Sequence, residues 1–63
     1  MKPKVFTEHV GALMRAHRSQ QAGRDTALII RSQDFIVCEV TDAHLFQANA
    51  ICTDRFKPKE ETK

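Results

Sequence analysis

Two short apolar runs, Ala27-Leu28-Ile29-Ile30 and Phe35-Ile36-Val37-Cys38, stand back to back, with only Arg31-Ser32-Gln33-Asp34 between them. Their β-branched and aromatic content favours strands, and the pair predicts a β-hairpin. The loop carries no Asn-Gly or Asp-Gly signature of a two-residue turn. A four-residue loop places Ile30 opposite Phe35 and Leu28 opposite Val37 on one face. Ile29 then lies opposite Ile36, and Ala27 opposite Cys38, on the other. Both faces are apolar, and a shift of register does not change that. A hairpin with one wet face would alternate apolar with polar residues. Each face of this one therefore needs a cover.

The segment before the hairpin shows a helical period. Phe6, Val10, Leu13, Met14 and His17 recur at spacings of three and four, which predicts an amphipathic helix over residues 4–21 with these side chains as its stripe. Pro3 suits a first turn, where a missing N–H costs nothing. Gly23 suits the position past the helix end, where a left-handed residue is often required. Glu8 near the start, with Arg15 and Arg18 toward the end, follows the helix dipole. Gly11 is a weak point in the helix, costing roughly 1 kcal/mol against Ala; it reads equally as a lone flexible residue or, with Ala12, as a small patch that permits close packing. His17 reads as a helix-end residue bonded to a neighbour, and His9 as a residue facing solvent or at the stripe's edge.

The segment after the hairpin carries two patterns at once. Thr41 can cap a helix, Asp42 suits its first turn, and Val40 can pack on Leu45 as a hydrophobic staple. Leu45, Ala48, Ile51, Cys52 and Phe56 then share a face. In the other pattern Phe46, Ala48, Ala50 and Cys52 alternate with Gln47 and Asn49, as in a strand. The cap and the Ala, Leu and Gln content favour helix over residues 42–56. Residues 57–63, a charged run with Pro58, read as a disordered tail. The expected fold is α+β: one small domain over residues 1–56, ordered helix-strand-strand-helix around the hairpin. The runner-up is a helix followed by a three-stranded antiparallel sheet.

Size sharpens the question of cover. A chain of 63 residues buries only about 60% of the surface it exposes when unfolded, and small domains commonly lean on disulfides, metals or partner subunits. The two cysteines, with thirteen residues between them, form no close pair, and both read as free thiols packed as small hydrophobes. No apolar h-region follows Lys2 and Lys4, and no run approaches the ~20 residues that span a bilayer. A soluble cytoplasmic protein without membrane contact is expected. The net charge of +2 hides an asymmetry. Lys2, Lys4, Arg15, Arg18 and Arg24 face only Glu8 in the first 24 residues, whereas the remainder is net acidic. Such asymmetry bears on partners rather than on fold.

Candidate chemistry is sparse. Cys38, His44 and Cys52, with Asp42 or Asp54, are metal-ligand types but lack the close pairs of structural zinc sites. Cys38 or Cys52 with His44 makes no complete nucleophilic site, because neither an oxyanion hole nor a phosphate loop is evident. No catalytic residue, cofactor or metal is expected. Arg15, Arg18 and Arg24, supported by Lys2, Lys4 and His17, are candidates for contact with a nucleic-acid backbone. The absence of Tyr and Trp weighs against base stacking. The leading expectation is a non-enzymatic accessory or regulatory protein that works by protein–protein interaction, as a homodimer or with a larger protein. The candidate interface is the hairpin: Leu28, Ile29, Ile30, Phe35, Ile36 and Val37. Tiny chains without catalytic motifs are common among modulators, including those of phages and mobile elements.

Overall fold

The computed structural model describes residues 2–58. The chain passes through β1 (Lys4–Phe6), α1 (His9–Gln21), β2 (Thr26–Ile30), β3 (Phe35–Glu39), two 3-10 turns at Val40–Leu45 and Gln47–Asn49, and β4 (Cys52–Phe56). All strand pairs are antiparallel, in the order β1-β3-β2-β4. The class is α+β, as expected, but the element list differs at both ends.

The hairpin forms in the register its loop length implied: Ile30 faces Phe35, Ile29 faces Ile36, Leu28 faces Val37 and Ala27 faces Cys38. Its turn is held by the Arg31 N–H, which donates to the Asp34 carbonyl at 3.0 Å. The Arg31 guanidinium also donates to both Asp34 carboxylate oxygens, at 2.6 and 2.7 Å. A bidentate Arg–carboxylate pair fixes orientation as well as distance, which explains a turn without glycine.

Both apolar faces are covered from within the chain. On one, Leu28 and Val37 pack with Ala12 and Ala16 of α1, flanked by Phe6, Leu13, Ile30, Phe35 and Phe56. On the other, Ala27, Ile29, Ile36 and Cys38 pack with Ala43, flanked by Val40, Phe46 and Ala50. Both long edges of the hairpin are also paired, β3 with β1 and β2 with β4.

Three expectations are corrected. The first helix begins at His9, and Lys4–Phe6 is a strand, because pairing with the free edge of β3 outweighs helical spacing over so few residues. The helical stripe is also different. Ala12, Ala16 and Ser19 are buried, whereas Val10 and Met14 are 65% and 62% exposed. Bulky sheet residues already fill the space between the layers, so only small helix residues fit against them. Gly11 belongs to this close approach: a Cβ there would sit 3.3 Å from Phe6 Cδ2.

The third correction concerns residues 42–56, which form no α-helix. Val40, Ala43 and Phe46 recur every three residues, the period of a 3-10 helix, and all three face the sheet. Leu45 and Ile51, needed for the α-helical face, are 63% and 67% exposed. The Ile51 N–H donates to the Ile30 carbonyl at 2.7 Å and starts β4 along β2. This outcome stands near the runner-up reading, with β1 as a fourth strand. The tail over residues 57–63 lies largely outside the described residues. Within them, Gln20 Nε2 donates to the Lys57 carbonyl at 2.7 Å.

Gly23 ends α1 as expected, with φ of 88°. The Arg24 N–H donates to the Ser19 carbonyl and the Gly23 N–H to the Gln20 carbonyl, both at 3.0 Å. That is the Schellman closure, which needs a left-handed residue at this position. The chain then enters β2 beside Asp25, whose carboxylate accepts from Arg55 Nε at 3.0 Å and Nη2 at 2.5 Å. This pair fastens β4 to the start of β2.

Two outcomes follow. Since the chain covers its own hairpin, its thermal midpoint should stay constant over about a hundred-fold dilution. A midpoint that falls on dilution would place a second copy in the core. The Arg55 hydrogen bond holds the Asp25 carboxyl below its ordinary value of 3.8. A folded pKa below the unfolded one contributes stability that is complete above the unfolded value and lost as pH falls through the folded value. Asp25→Asn should therefore lower the melting temperature at neutral pH, and the gap to wild type should shrink as pH drops below about 4. Thermal melts across a pH series would measure it.

Candidate functional site

The helix runs back along β1, and the space between them is a furrow. At its first end Phe6, Gly11 and Met14 form a mainly apolar cleft of about 280 Å³, closed off by Lys4, Arg15 and Arg18. At its other end a groove of about 520 Å³ is lined by Lys2, Pro3, Lys4, Arg15, Arg18, Ser19, Ala22 and Arg24. Lys4, Arg15 and Arg18 line both, so cleft and groove are continuous.

Local structure explains the convergence. Gly11, Arg15, Arg18 and Ala22 fall on one flank of α1 by helical spacing, at right angles to the buried Ala12–Ala16 line. Lys2, Lys4 and Phe6 alternate along an extended segment and share its helix-side face. Lys4 pairs with Val37 and Phe6 with Phe35, both residues of the cluster beneath α1. The Schellman closure turns the chain so that Arg24 arrives at the groove's far end. Contacts at both ends of the helix hold it in place: His9 stacks on Phe35 with ring centroids 5.1 Å apart, and His17 meets the edge of Phe56 at 5.3 Å. Both histidines are exposed, so His17 acts as a clamp on β4 rather than as a member of a buried stripe.

The furrow is electrostatically one-signed. Among the described residues no carboxylate lines either end. Arg24 is paired with Glu39 at 3.1 Å. Lys4, Arg15 and Arg18 have no acidic partner among the described residues. Arg15 Nε is buried without a hydrogen-bond acceptor. A buried donor left unmatched costs about 1–3 kcal/mol, and an arriving anion is one way to relieve the head group. Like-charged side chains gathered in a concavity concentrate their field there.

The residues singled out from sequence fall into two groups. Arg15, Arg18 and Arg24 are brought together in the groove, with Lys2 and Lys4. The hairpin set is not at the surface: Leu28, Ile29, Ile36 and Val37 are fully buried, and Ile30 and Phe35 are half-buried. The apolar end of the furrow, Phe6, Gly11 and Met14, was not foreseen as a site. Its signal was present as a glycine set between apolar residues at helical spacing, but reading Phe6 as part of the helix concealed it.

The thiol and metal candidates are kept apart. Cys38 is buried on the face covered by the 3-10 turns, Cys52 is exposed on β4, and His44 lies on the outside of the first 3-10 turn. The sheet register puts Cys52 in the row of Ile30 and Phe35, on the opposite face from Cys38. Among the described residues no three His, Cys, Asp or Glu side chains are grouped to hold a metal ion. Burial pushes the Cys38 thiol up, and the nearby charges of Asp42 and Glu39 push it further, so it stays protonated near neutral pH and is a poor nucleophile. Other hollows lie around the Arg31–Asp34 pair, beside Asp25–Arg55, and around the Arg24–Glu39 pair with Val40 and Thr41, where the charged groups already satisfy one another. Among the described residues no helix is long and apolar enough to cross a membrane.

Comparison with family models, with curated proteins and with solved structures finds no match, so a functional reading rests on the furrow's own residues. The thiol environments carry a simple expectation. A thiol reagent should modify Cys52 rapidly in the native protein and Cys38 only on unfolding, giving one fast equivalent and one slow one. Two fast equivalents would mean that the 3-10 cover over Cys38 opens readily.

Proposed function

We propose that this chain is a non-enzymatic accessory protein that acts by binding another protein, and that its working surface is the furrow between α1 and β1. The observation that carries this reading is the continuity of an apolar cleft with a groove of cations, of which Lys4, Arg15 and Arg18 have no acidic partner among the described residues. The two share Lys4, Arg15 and Arg18. Protein partners commonly offer both an apolar anchor and a charged rim. The hairpin, expected from sequence as the interface, is occupied by the chain's own core, so the furrow takes its place. A cytoplasmic setting accords with two free thiols in one small chain.

A second reading has its own support. Five cations along one groove also suit the phosphates of a nucleic acid. Against it, the cations line a concavity rather than a projecting helix, and the chain has neither Tyr nor Trp for stacking. The apolar cleft also has no role toward a phosphate backbone.

The test is affinity capture with the full tagged chain and with Arg15→Glu/Arg18→Glu, each with and without nuclease. The expected result is a small set of proteins retained after nuclease and depleted at least about tenfold by the double reversal, as lost charge complementarity would produce. Capture that disappears with nuclease would favour the nucleic-acid reading. Capture identical for both chains would remove the furrow from the function.

A further inference from the structure

We propose that the partner's contribution is an acidic extended segment that adds to the open edge of β1 as a fifth strand, lying along the furrow. The proposal rests on the reading of the furrow as a protein-binding surface and names the chemistry that fits it.

Among the described residues the sheet order leaves the outer edge of β1 without a neighbouring strand. An unpaired edge presents a row of N–H and C=O groups that another strand can complete. What borders that edge is specific. On the helix side stand Lys2, Lys4 and Phe6, with Arg15, Arg18 and Met14 of α1 across the furrow. On the opposite face Val5 pairs with Ile36 and is exposed, so a residue added beside it gains apolar cover.

Dimensions and pattern agree. A strand rises about 3.3 Å per residue, so five added residues reach about 13 Å. The flank of α1 from Gly11 to Ala22 rises about 16 Å at 1.5 Å per residue. Antiparallel addition, the sense of every pair in this sheet, sets the order of the added side chains. An apolar residue comes opposite Phe6, over the Gly11 and Met14 cleft. Two residues later an acidic one meets Lys4, Arg15 and Arg18. Two further on, a second acidic residue meets Lys2, beside the Arg24 that Glu39 already holds. The partner's motif is therefore apolar-x-acidic-x-acidic.

The same edge excludes other strands. It is short, and Lys2, Pro3 and Lys4 are the residue types with which natural edges repel indiscriminate pairing. Pro3 has no N–H to offer, so backbone pairing centres on β1 and the added strand reaches Lys2 through its side chain. Cations that repel a neutral or basic strand attract an acidic one, so the one device supplies both rejection and selection. The edge of β4 lacks this combination: its exposed residues include Asp54, and Arg55 is occupied by Asp25.

The experiment is a titration of the isotope-labelled full chain with the peptide Ace-Thr-Leu-Thr-Glu-Thr-Glu-Thr-amide, followed by NMR shifts and amide hydrogen exchange. Controls are the same peptide with Lys for Glu, and a short duplex DNA. The expected result is saturable binding that slows exchange of the β1 amides pointing away from β3. Raising salt should weaken it, and Lys4→Glu/Arg18→Glu, two exposed positions, should weaken it at least about tenfold. The salt series and the Lys peptide decide the matter on the wild-type chain even if the double variant folds poorly. Absence of saturation, equal binding of the Lys peptide, or binding that leaves β1 exchange unchanged would overturn the proposal. If nuclease-resistant capture still depends on Arg15 and Arg18 while the peptide fails, strand addition falls and the protein-binding reading stands. If the duplex perturbs the same residues and excludes the peptide, both fall.

Discussion

Everything in this molecule follows from a hairpin that is apolar on both faces. Leu28, Ile29, Ile36 and Val37 are each fully buried, and burial of such a side chain contributes about 1.5–3 kcal/mol. In a chain of this length no other interaction is comparable. The hairpin can be buried only if something lies above it, something lies below it, and both edges are paired. The chain meets these four demands with four separate pieces: α1, the 3-10 turns, β1 and β4. Each piece is short because the hairpin is short, and none has another bulky layer to pack against.

That constraint also makes the furrow. The hairpin's own side chains fill the space beneath α1, so the helix approaches through Ala12 and Ala16 and presents few large residues inward. Its arginines are left on the flank. β1 pairs with the hairpin edge and brings Lys2 and Lys4 to the same flank from the other side. The five cations meet because two elements recruited to cover one hairpin lie next to each other. The charge cluster is thus a product of the architecture as well as of composition, and Lys4, Arg15 and Arg18 keep no acidic partner among the described residues, where three carboxylates are held by other cations. Asp34 is held by Arg31, Asp25 by Arg55, and Glu39 reaches Arg24.

The candidate site was half legible in the residues. Arg15, Arg18 and Arg24 stood out as cations in a region almost without acid, and Lys2 and Lys4 with them. What could not be read was their arrangement. Phe6 sits at helical spacing from Val10 and Leu13, so it reads naturally as the start of a helical stripe. Only its pairing with Phe35 places it in a strand and turns the Gly11 neighbourhood into a cleft. Period alone cannot separate three strand residues from the first turn of a helix, because both readings satisfy the same few positions.

By itself the sequence determined the hairpin and the helix end at Gly23, and its four-residue loop implied the register that the strands adopt. Those features depend on neighbours a few residues apart: loop length sets strand pairing, and a left-handed glycine closes the helix. It also established that both hairpin faces needed cover. Only the tertiary structure decided what supplied that cover. Residues 40–56 contain a helix cap, a strand alternation and a three-residue repeat together. The repeat of Val40, Ala43 and Phe46 prevails because it alone lays apolar side chains on Ile29, Ile36 and Cys38 while leaving Cys52–Phe56 free to close the edge of β2. Local preference was nearly balanced there, and the long-range demand of an uncovered sheet broke the tie.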